Sequence, residues 1–449
     1  MPSARQVAFE LLCHLHQDRH TLDYWLESFE TRLQVLEKVD RTLVHALVYG
    51  TLRWQGRLDF IINQMAKNPN RIDARVRIIL RLALFQLLYL DRIPASAVVN
   101  TAVELAKQNK LAWSAGFINA LLRKAAAGPL DIPWPERGKT PSLATAIHHS
   151  VPEWLVSRWQ ARWGQEETDR LCAAINTIPT VTLRTNTLRT NRPALLAAIQ
   201  REARHIASTV FTPEGIILSG LERPFAQWPS FQNGWFQVQD EAAQLVAHCL
   251  SPPPGALVWD ACAGLGTKSA HLAQLMGNKG TIVATDLSAS KLVRLDAEMK
   301  RLGISIVSSR CLDLLTSTAP SDLPLFEYIL VDAPCSGLGV LQKNPDGKWR
   351  TSPNEPSRCQ QRQIRLLERA AHFLQPGGKM VYAVCSVEPE ENEGVIKAFL
   401  QKHPGFAINP LRLAAVVQPD RLMSPQGWLT TLPHQHGMDG FFAAALVKQ

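Results

Sequence analysis

Tyr328-Ile329-Leu330-Val331-Asp332-Ala333-Pro334-Cys335-Ser336-Gly337 is a short apolar run that stops on an acid, a proline and a cysteine. Such a run reads as a strand buried on both faces. Its polar residues then fall at a strand's carboxyl end, where open α/β sheets hold their ligands. A second run, Met380-Val381-Tyr382-Ala383-Val384, leads into Cys385-Ser386-Val387-Glu388-Pro389-Glu390-Glu391-Asn392. If the two strands are neighbours, both thiols face one crevice despite their separation in sequence.

Outward from that pair the same rhythm repeats. Apolar runs at Ala256–Trp259, Thr281–Ala284, Ser305–Ser308, Tyr328–Val331 and Lys379–Val384 alternate with helical stretches. This predicts an α/β domain over residues 236–449 with a doubly wound, mostly parallel sheet. Strands around Phe406 and at Phe441–Val447 are expected to finish its edge. The first strand ends in Asp260-Ala261-Cys262-Ala263-Gly264-Leu265-Gly266-Thr267-Lys268-Ser269, where a helix begins. Glycines let backbone approach a ligand there, and the helix N-terminus offers free N–H groups. Asp286, ending the second strand, is placed to accept both hydroxyls of a ribose. NAD enzymes share these features. Ser269 replaces the third glycine of a dinucleotide fingerprint, however, and Thr267 breaks a Walker A loop. Acids at Asp260 and Asp286 suit S-adenosylmethionine, a cation with no pyrophosphate to cradle.

The front of the chain is different. Residues 4–127 keep a helical period, with Val7, Ala8, Leu11, Leu12 and Leu15 on one face and Asp40 as the expected N-cap of a later helix. Residues 1–142 hold 19 Lys+Arg against 13 Asp+Glu, most of a formal net charge of +9. That surplus suggests a polyanionic partner. Arg71, Arg75, Arg77 and Arg81 form i,i+4 pairs that read either as a solvated face or as a phosphate-tracking stripe. Gly128 to Pro141 reads as a linker. Residues 143–235 read as a small α+β module in which Arg184, Asn186 and Arg189 lie on an exposed strand or touch RNA. The expected division is therefore 1–140, 143–235 and 236–449.

Composition is that of a globular protein, 46% hydrophobic and 19% charged. Eight cysteines include no CxxC pair, and His148-His149 has no third ligand nearby, so neither a metal nor a disulfide framework is expected. Met1-Pro2-Ser3-Ala4-Arg5 lacks the layout of a signal peptide, and no apolar run approaches bilayer length. A cytoplasmic protein without membrane attachment is expected, and nothing points to an obligate dimer, so a monomer is expected.

Two cysteines at one crevice suit methylation of cytosine. C5 is a poor nucleophile, but a thiolate adding to C6 pushes electron density onto it. A base must then take the C5 proton so that the thiol can leave. Asp332 is placed to hydrogen-bond the N3/N4 edge. Residue chemistry alone does not rank Cys335 and Cys385.

Asp332-Ala333-Pro334-Cys335-Ser336-Gly337 with Asn344-Pro345-Asp346, Gln375-Pro376-Gly377-Gly378, Cys385 to Glu393 and Met438-Asp439-Gly440-Phe441-Phe442-Ala443 resemble the RNA 5-methylcytosine methyltransferases. The front resembles the NusB-like RNA-binding helical domain through Val48-Tyr49-Gly50-Thr51-Leu52, Leu82 to Leu88, Ala102 to Lys107 and Gly116 to Arg123. Together they are similar over nearly the full length to bacterial members of that family acting on 16S ribosomal RNA. The resemblance implies that Cys385 attacks and that Cys335 helps release the product. It places cofactor contacts on Cys262, Ala263, Gly264, Leu265, Gly266, Thr267 and Lys268, and on Asp286, Asp313 and Asp332. The family's Ala-Pro-Gly-Gly-Lys-Thr loop is altered here, with Thr267 replacing a glycine, so an effect on cofactor affinity is expected. Two other readings stay open at this point. A non-catalytic RNA-binding factor is favoured only by that altered loop, and an NAD oxidoreductase leaves both cysteine motifs without a role.

Overall fold

The computed structural model describes residues 3–18, 20–128, 132–316 and 323–449. The chain divides into two compact units, Met1–Thr177 with Leu341–Pro353, and Ile178–Val340 with Asn354–Gln449. The expected middle module thus gives residues 143–177, which are helical, to one unit and its strands with their helices to the other. Among the described residues no helix is long and apolar enough to cross a membrane.

The first unit is helical: α1 Ala4–Gln17, α2 Leu22–Ser28, α3 Glu30–Gln34, α4 Lys38–Met65, α5 Ala74–Tyr89, α6 Ala95–Gln108, α7 Ala115–Ala126, α8 Pro141–His149 and α9 Glu153–Ala174. The expected apolar face of α1 is buried, with Val7, Ala8, Leu11, Leu12 and Leu15 in one core with Val44, Leu47 and Val48. Asp40 lies in the first turn of α4 and does not cap it, because the helix already starts at Lys38. Asp73 is the side-chain cap of α5, accepting from the backbone N–H groups of Arg75 and Val76. Gly50 lets α4 and α5 meet closely: a Cβ there would lie 2.0 Å from Phe85 Cζ. Residues 129–131 of the expected linker lie outside the described residues, and 132–140 carry no helix or strand.

The arginine stripe is not a free phosphate track. Arg81 grips the Asp59 carboxylate with two bonds of 2.7 Å. Arg77 donates to Asn63 and to Pro69 O, and Arg75 donates to Asn109 O. Of the four, exposed Arg71 has no such partner among the described residues. Spacing could not show this, because the acceptors come from other segments.

Asn344-Pro345-Asp346 also belongs to this helical unit. The short helix α15, Gly347–Arg350, buries Lys348, whose ammonium donates to Arg53 O at 2.7 Å, Ser150 O at 2.9 Å and Asn176 Oδ1 at 3.0 Å. Trp349 Nε1 donates to Leu52 O.

The second unit carries two sheets. The smaller is antiparallel in the order β2-β3-β1-β4, from β1 Val181–Thr185, β2 Ala203–Ser208, β3 Gly215–Leu221 and β4 Phe236–Val238, with α10 Arg192–Ile199 and the one-turn α11 Pro229–Gln232. Arg184 and Asn186 are buried within this unit and are neither exposed nor free for RNA. Arg184 donates to Gln237, Gln239, Gln274 and Thr267 O, while Asn186 donates to Gly234 O and Leu302 O. Arg189 Nε likewise points at Leu302 O.

The larger sheet has the order β10-β12-β9-β8-β5-β6-β7, with β11 Leu429–Thr430 paired to β12. Its strands β5 Leu257–Asp260, β6 Thr281–Asp286, β7 Val307–Cys311, β8 Phe326–Asp332 and β9 Leu374–Val384 are parallel. β10 Phe406–Ile408 and β12 Phe442–Lys448 close the edge antiparallel. The expected strand at Ser305–Ser308 starts later, at Val307. Helices α12 Glu241–Leu250, α13 Thr267–Leu275, α14 Ala289–Leu302, α16 Glu355–Ala371 and α17 Glu393–Lys402 connect the strands, and α18 Pro433–His436 precedes the last. Ile329, Leu330, Val331, Val381, Tyr382, Ala383 and Val384 are fully buried, as continuous apolar runs in a covered parallel sheet should be.

Gly50→Ala should overpack the α4–α5 contact and destabilise the first unit by about 1–3 kcal/mol. Chemical denaturation would show it as a lower midpoint, and Phe85→Leu in the same chain should restore part of the loss.

Candidate active site

Strands β8 and β9 pair in parallel with Asp332 opposite Ala383, so their carboxyl ends release Cys335 and Cys385 side by side. The two Sγ atoms are 3.2 Å apart. Cys335 and Cys385 therefore share one site across 50 residues of sequence. The side-chain hydrogen bond to Cys385 is the largest cause raising the Cys335 thiol, followed by burial. The two sulfurs are within hydrogen-bond reach of each other, and either can be the donor.

Lys268 Nζ donates to Asp332 Oδ2 at 2.6 Å and stands 5.3 Å from the centre of the Phe441 ring. Burial lowers the Lys268 ammonium, but Asp332, with smaller contributions from Cys385 and Asp260, carries it above the ordinary value. Lys268 therefore links Asp332 to the neighbourhood of Cys385.

Behind the sulfurs lies a carboxylate that residue patterning did not single out. Buried Glu391 accepts from Ser336 N at 2.8 Å, Ser336 Oγ at 2.5 Å, Ser386 Oγ at 2.6 Å and Gln363 Nε2 at 3.0 Å. Gln363 also donates to Pro334 O. One anion therefore fixes the residues that follow both cysteines. Gln363 had a legible signal: it is a buried amide on the face of α16 otherwise formed by Cys359, Leu366, Leu367 and Ala370. Gly339 N donates to Cys385 O, and a Cβ on Gly339 would sit 1.9 Å from Gly440 O. That contact gives the Met438-Asp439-Gly440 motif its place beside the cysteine loops.

The glycine loop runs from β5 into α13. Gly266 is left-handed at φ 77° and occupies the N-cap position, so Thr267 takes the first helical place, where a side chain is tolerated. The altered loop is accommodated without strain at Thr267. Gly264 N donates to Asp286 Oδ2 at 3.0 Å, joining the loop to the end of β6. Burial pushes the Cys262 thiol up, and the carboxylates Asp260, Asp332 and Asp286 push it further. Asp260 is buried, accepts from Ser269 Oγ at 2.6 Å, and has its carboxyl raised to about 7 by that burial. Two large apolar side chains stay exposed beside this acidic loop, Leu265 at 40% and Leu287 at 71%. Acids with flanking apolar faces fit a cofactor combining a positive centre with a flat ring, and Cys262 to Lys268 with Asp286 would hold it. Asp313 stands apart in role, accepting from Leu315 N and Thr316 N to close its own turn.

Among the described residues one cluster has the composition of a metal site: Glu214, His248 and His271, with ligand atoms within 4.8 Å of one another. His148-His149 does not join it, and His149 instead faces Asp169 at 3.7 Å. Burial drives His271 down to about 3, and buried Arg184 adds to the effect. Burial alone would raise Glu214, yet the two imidazoles outweigh it and its carboxyl lies below the usual range. The set holds together as an ionised Glu214 with Arg184 as nearby counter-charge and a neutral His271.

Comparison with known proteins places these features in a family. Residues 247–447 match the family described as 16S rRNA methyltransferase RsmB/F, residues 2–127 match the NusB family, and residues 151–222 match an RsmF/B-like ferredoxin-like domain. The chain is 35% identical to the probable ribosomal RNA small subunit methyltransferase B of Synechocystis, covering 100% of both chains. It is 35% identical to the ribosomal RNA small subunit methyltransferase B of Pseudomonas syringae pv. tomato, over 94% of this chain and 92% of that relative. The solved structure of PH0851 is similar with a TM-score of 0.83 at 27% identity, covering 100% of this chain and 99% of that one.

Two measurements probe the site directly. With iodoacetamide and peptide mapping, Cys335 should alkylate more slowly than exposed Cys311, and Cys385→Ala should narrow the gap by removing the largest cause that raises its thiol. A lowered histidine and a lowered carboxylate both make acid destabilising. His271 protonates in the unfolded chain near its ordinary 6.5 but in the folded one only near 3, so its contribution is lost as pH falls through that window. Glu214 adds its own loss below its ordinary 4.5. The melting temperature should fall steadily below pH 6.5, and His271→Asn should flatten the upper part of that curve.

Proposed function

Because this chain belongs to the RsmB/F family of 16S rRNA methyltransferases, we propose that it methylates C5 of a cytosine in 16S rRNA through a covalent bond from Cys385 to C6. The observation that carries this reading is the 3.2 Å approach of two thiols at adjacent strand ends. Glu391 holds both of their loops, and Lys268 stands beside Cys385. A hydrolase or hydride-transfer site has no use for a second cysteine held against the first.

S-adenosylmethionine, when bound along Cys262 to Lys268, Asp286 and Asp332, supplies an electrophilic methyl group. The chain's own residues do the remaining work. The target base must leave its stack to reach a sulfur at a strand end. The Cys385 thiolate adds to C6, and the C5=C6 electron pair becomes available at C5 for the methyl group. Asp332, fixed by Lys268, holds the N3/N4 edge. Once the Cys385 sulfur is a neutral thioether, its contribution to raising Cys335 is gone while those of burial and Glu391 stay, and the Cys335 thiol gives its proton to solvent. The Cys335 thiolate takes the C5 proton, the C5–H pair restores the double bond, and Cys385 departs as thiolate. Asp313, engaged in its own turn, is proposed as a contact at the cofactor's edge. Residues 1–140 and 143–235 are proposed to bring the RNA to the catalytic part, 236–449, in the cytoplasm and as a monomer.

Cys385→Ala should abolish methyl transfer to RNA. Cys335→Ala should leave the adduct unresolved, visible as a protein–RNA band that survives denaturing electrophoresis. Full turnover by Cys385→Ala would sink the assignment, as would an adduct that forms without that residue.

A further inference from the structure

A groove of about 500 Å³ opens on the first unit where the end of α4, the turn into α5 and the start of α7 converge. Its rim holds Trp113, 69% exposed, and Phe117, 39% exposed, with three residues between them in sequence. Among the described residues neither ring meets another aromatic, whereas exposed Tyr24 lies against His20 and exposed Trp134 against Phe60. Lys67, Arg71 and Lys124 line the same groove, are exposed, and have no anionic partner among the described residues. Its one acid, Asp73, is spent on the N-terminus of α5. The neighbouring arginines that looked available in the sequence are bound to Asp59, Asn63 and backbone carbonyls. The usable positive charge of this face is therefore gathered around two unpartnered rings.

From this arrangement we infer a binding site for unpaired nucleotides of RNA, with bases stacking on Trp113 and Phe117 and phosphates meeting Lys67, Arg71 and Lys124. The inference rests on the proposed RNA substrate and adds where its single-stranded part is held. Aromatic faces receive any base, and cations without acids among them suit a phosphate chain. A polypeptide helix would need an apolar rim in their place. Duplex RNA presents no open base face to the rings. The site is a positioning one, remote in role from the cysteines, so it should act on RNA affinity and not on the chemical step.

The test uses the full chain and a fluorescein-labelled, unstructured oligoribonucleotide, followed by anisotropy across a potassium chloride series. Trp113→Ala should weaken binding by roughly five- to a hundredfold, and Trp113→Phe should restore most of it. Replacing Lys67, Arg71 and Lys124 together by alanine should lower the slope of log affinity against log salt by about 2. With methylatable RNA, Trp113→Ala should raise KM and leave kcat in place. Affinity within twofold of the parent for a folded Trp113→Ala chain would overturn the inference, and capture of a polypeptide by the groove in its place would do the same. Failure of the methyltransferase reading would look different: no adduct in Cys335→Ala, with Trp113-dependent RNA binding intact.

Discussion

One register decides what this protein can do. Parallel pairing of β8 with β9 sets Asp332 beside Ala383, so chains leaving the two strands carry Cys335 and Cys385 to the same height. A slip of one residue would turn one thiol toward the opposite face of the sheet. The register is held from the apolar side by runs with no exposed residue, and from the polar side by Glu391. A buried carboxylate is costly unless its oxygens are satisfied. Here four donors converge on it, and three of them come from the residues immediately after the cysteines. Its desolvation is offset only when both loops are in place, so the anion makes their arrangement cooperative.

The same site separates two chemically identical side chains. Nothing distinguishes one thiol from the other except surroundings. The Cys335 thiol is raised first by its bond to Cys385 and then by burial, while Cys385 stands near the Lys268 ammonium. On the proposed reaction, the two sulfurs would serve in turn as nucleophile and base without any movement of backbone.

Much of this was legible in the sequence, for identifiable reasons. Buried parallel strands are near-continuous apolar runs, so β5, β6, β8 and β9 announced themselves, and the acids and cysteines that end them marked the crevice. The start of β7 is harder to read because Val307-Ser308-Ser309-Arg310-Cys311 is an outer strand whose residues are half-buried or exposed. The role of Glu391 is not legible in its motif, since its donors lie up to 55 residues away. The division into compact units was also hidden: Asn344-Pro345-Asp346 sits amid methyltransferase motifs but folds with the helices.

The arginines teach the converse lesson about charge. Arg184 sits in a strand and Arg81 on a helix, both in places that composition would offer to a polyanion. Each is instead consumed inside its own unit, Arg81 by a bidentate grip on Asp59 and Arg184 by three glutamines and a carbonyl. A guanidinium has five donors in a fixed fork and is readily bound wherever planar acceptors converge. Counting cations therefore overstates the surface available to nucleic acid. Beside the bound arginines of α5, Lys67, Arg71 and Lys124 around two open rings make a smaller set than the count suggests and a more specific one in what it can hold.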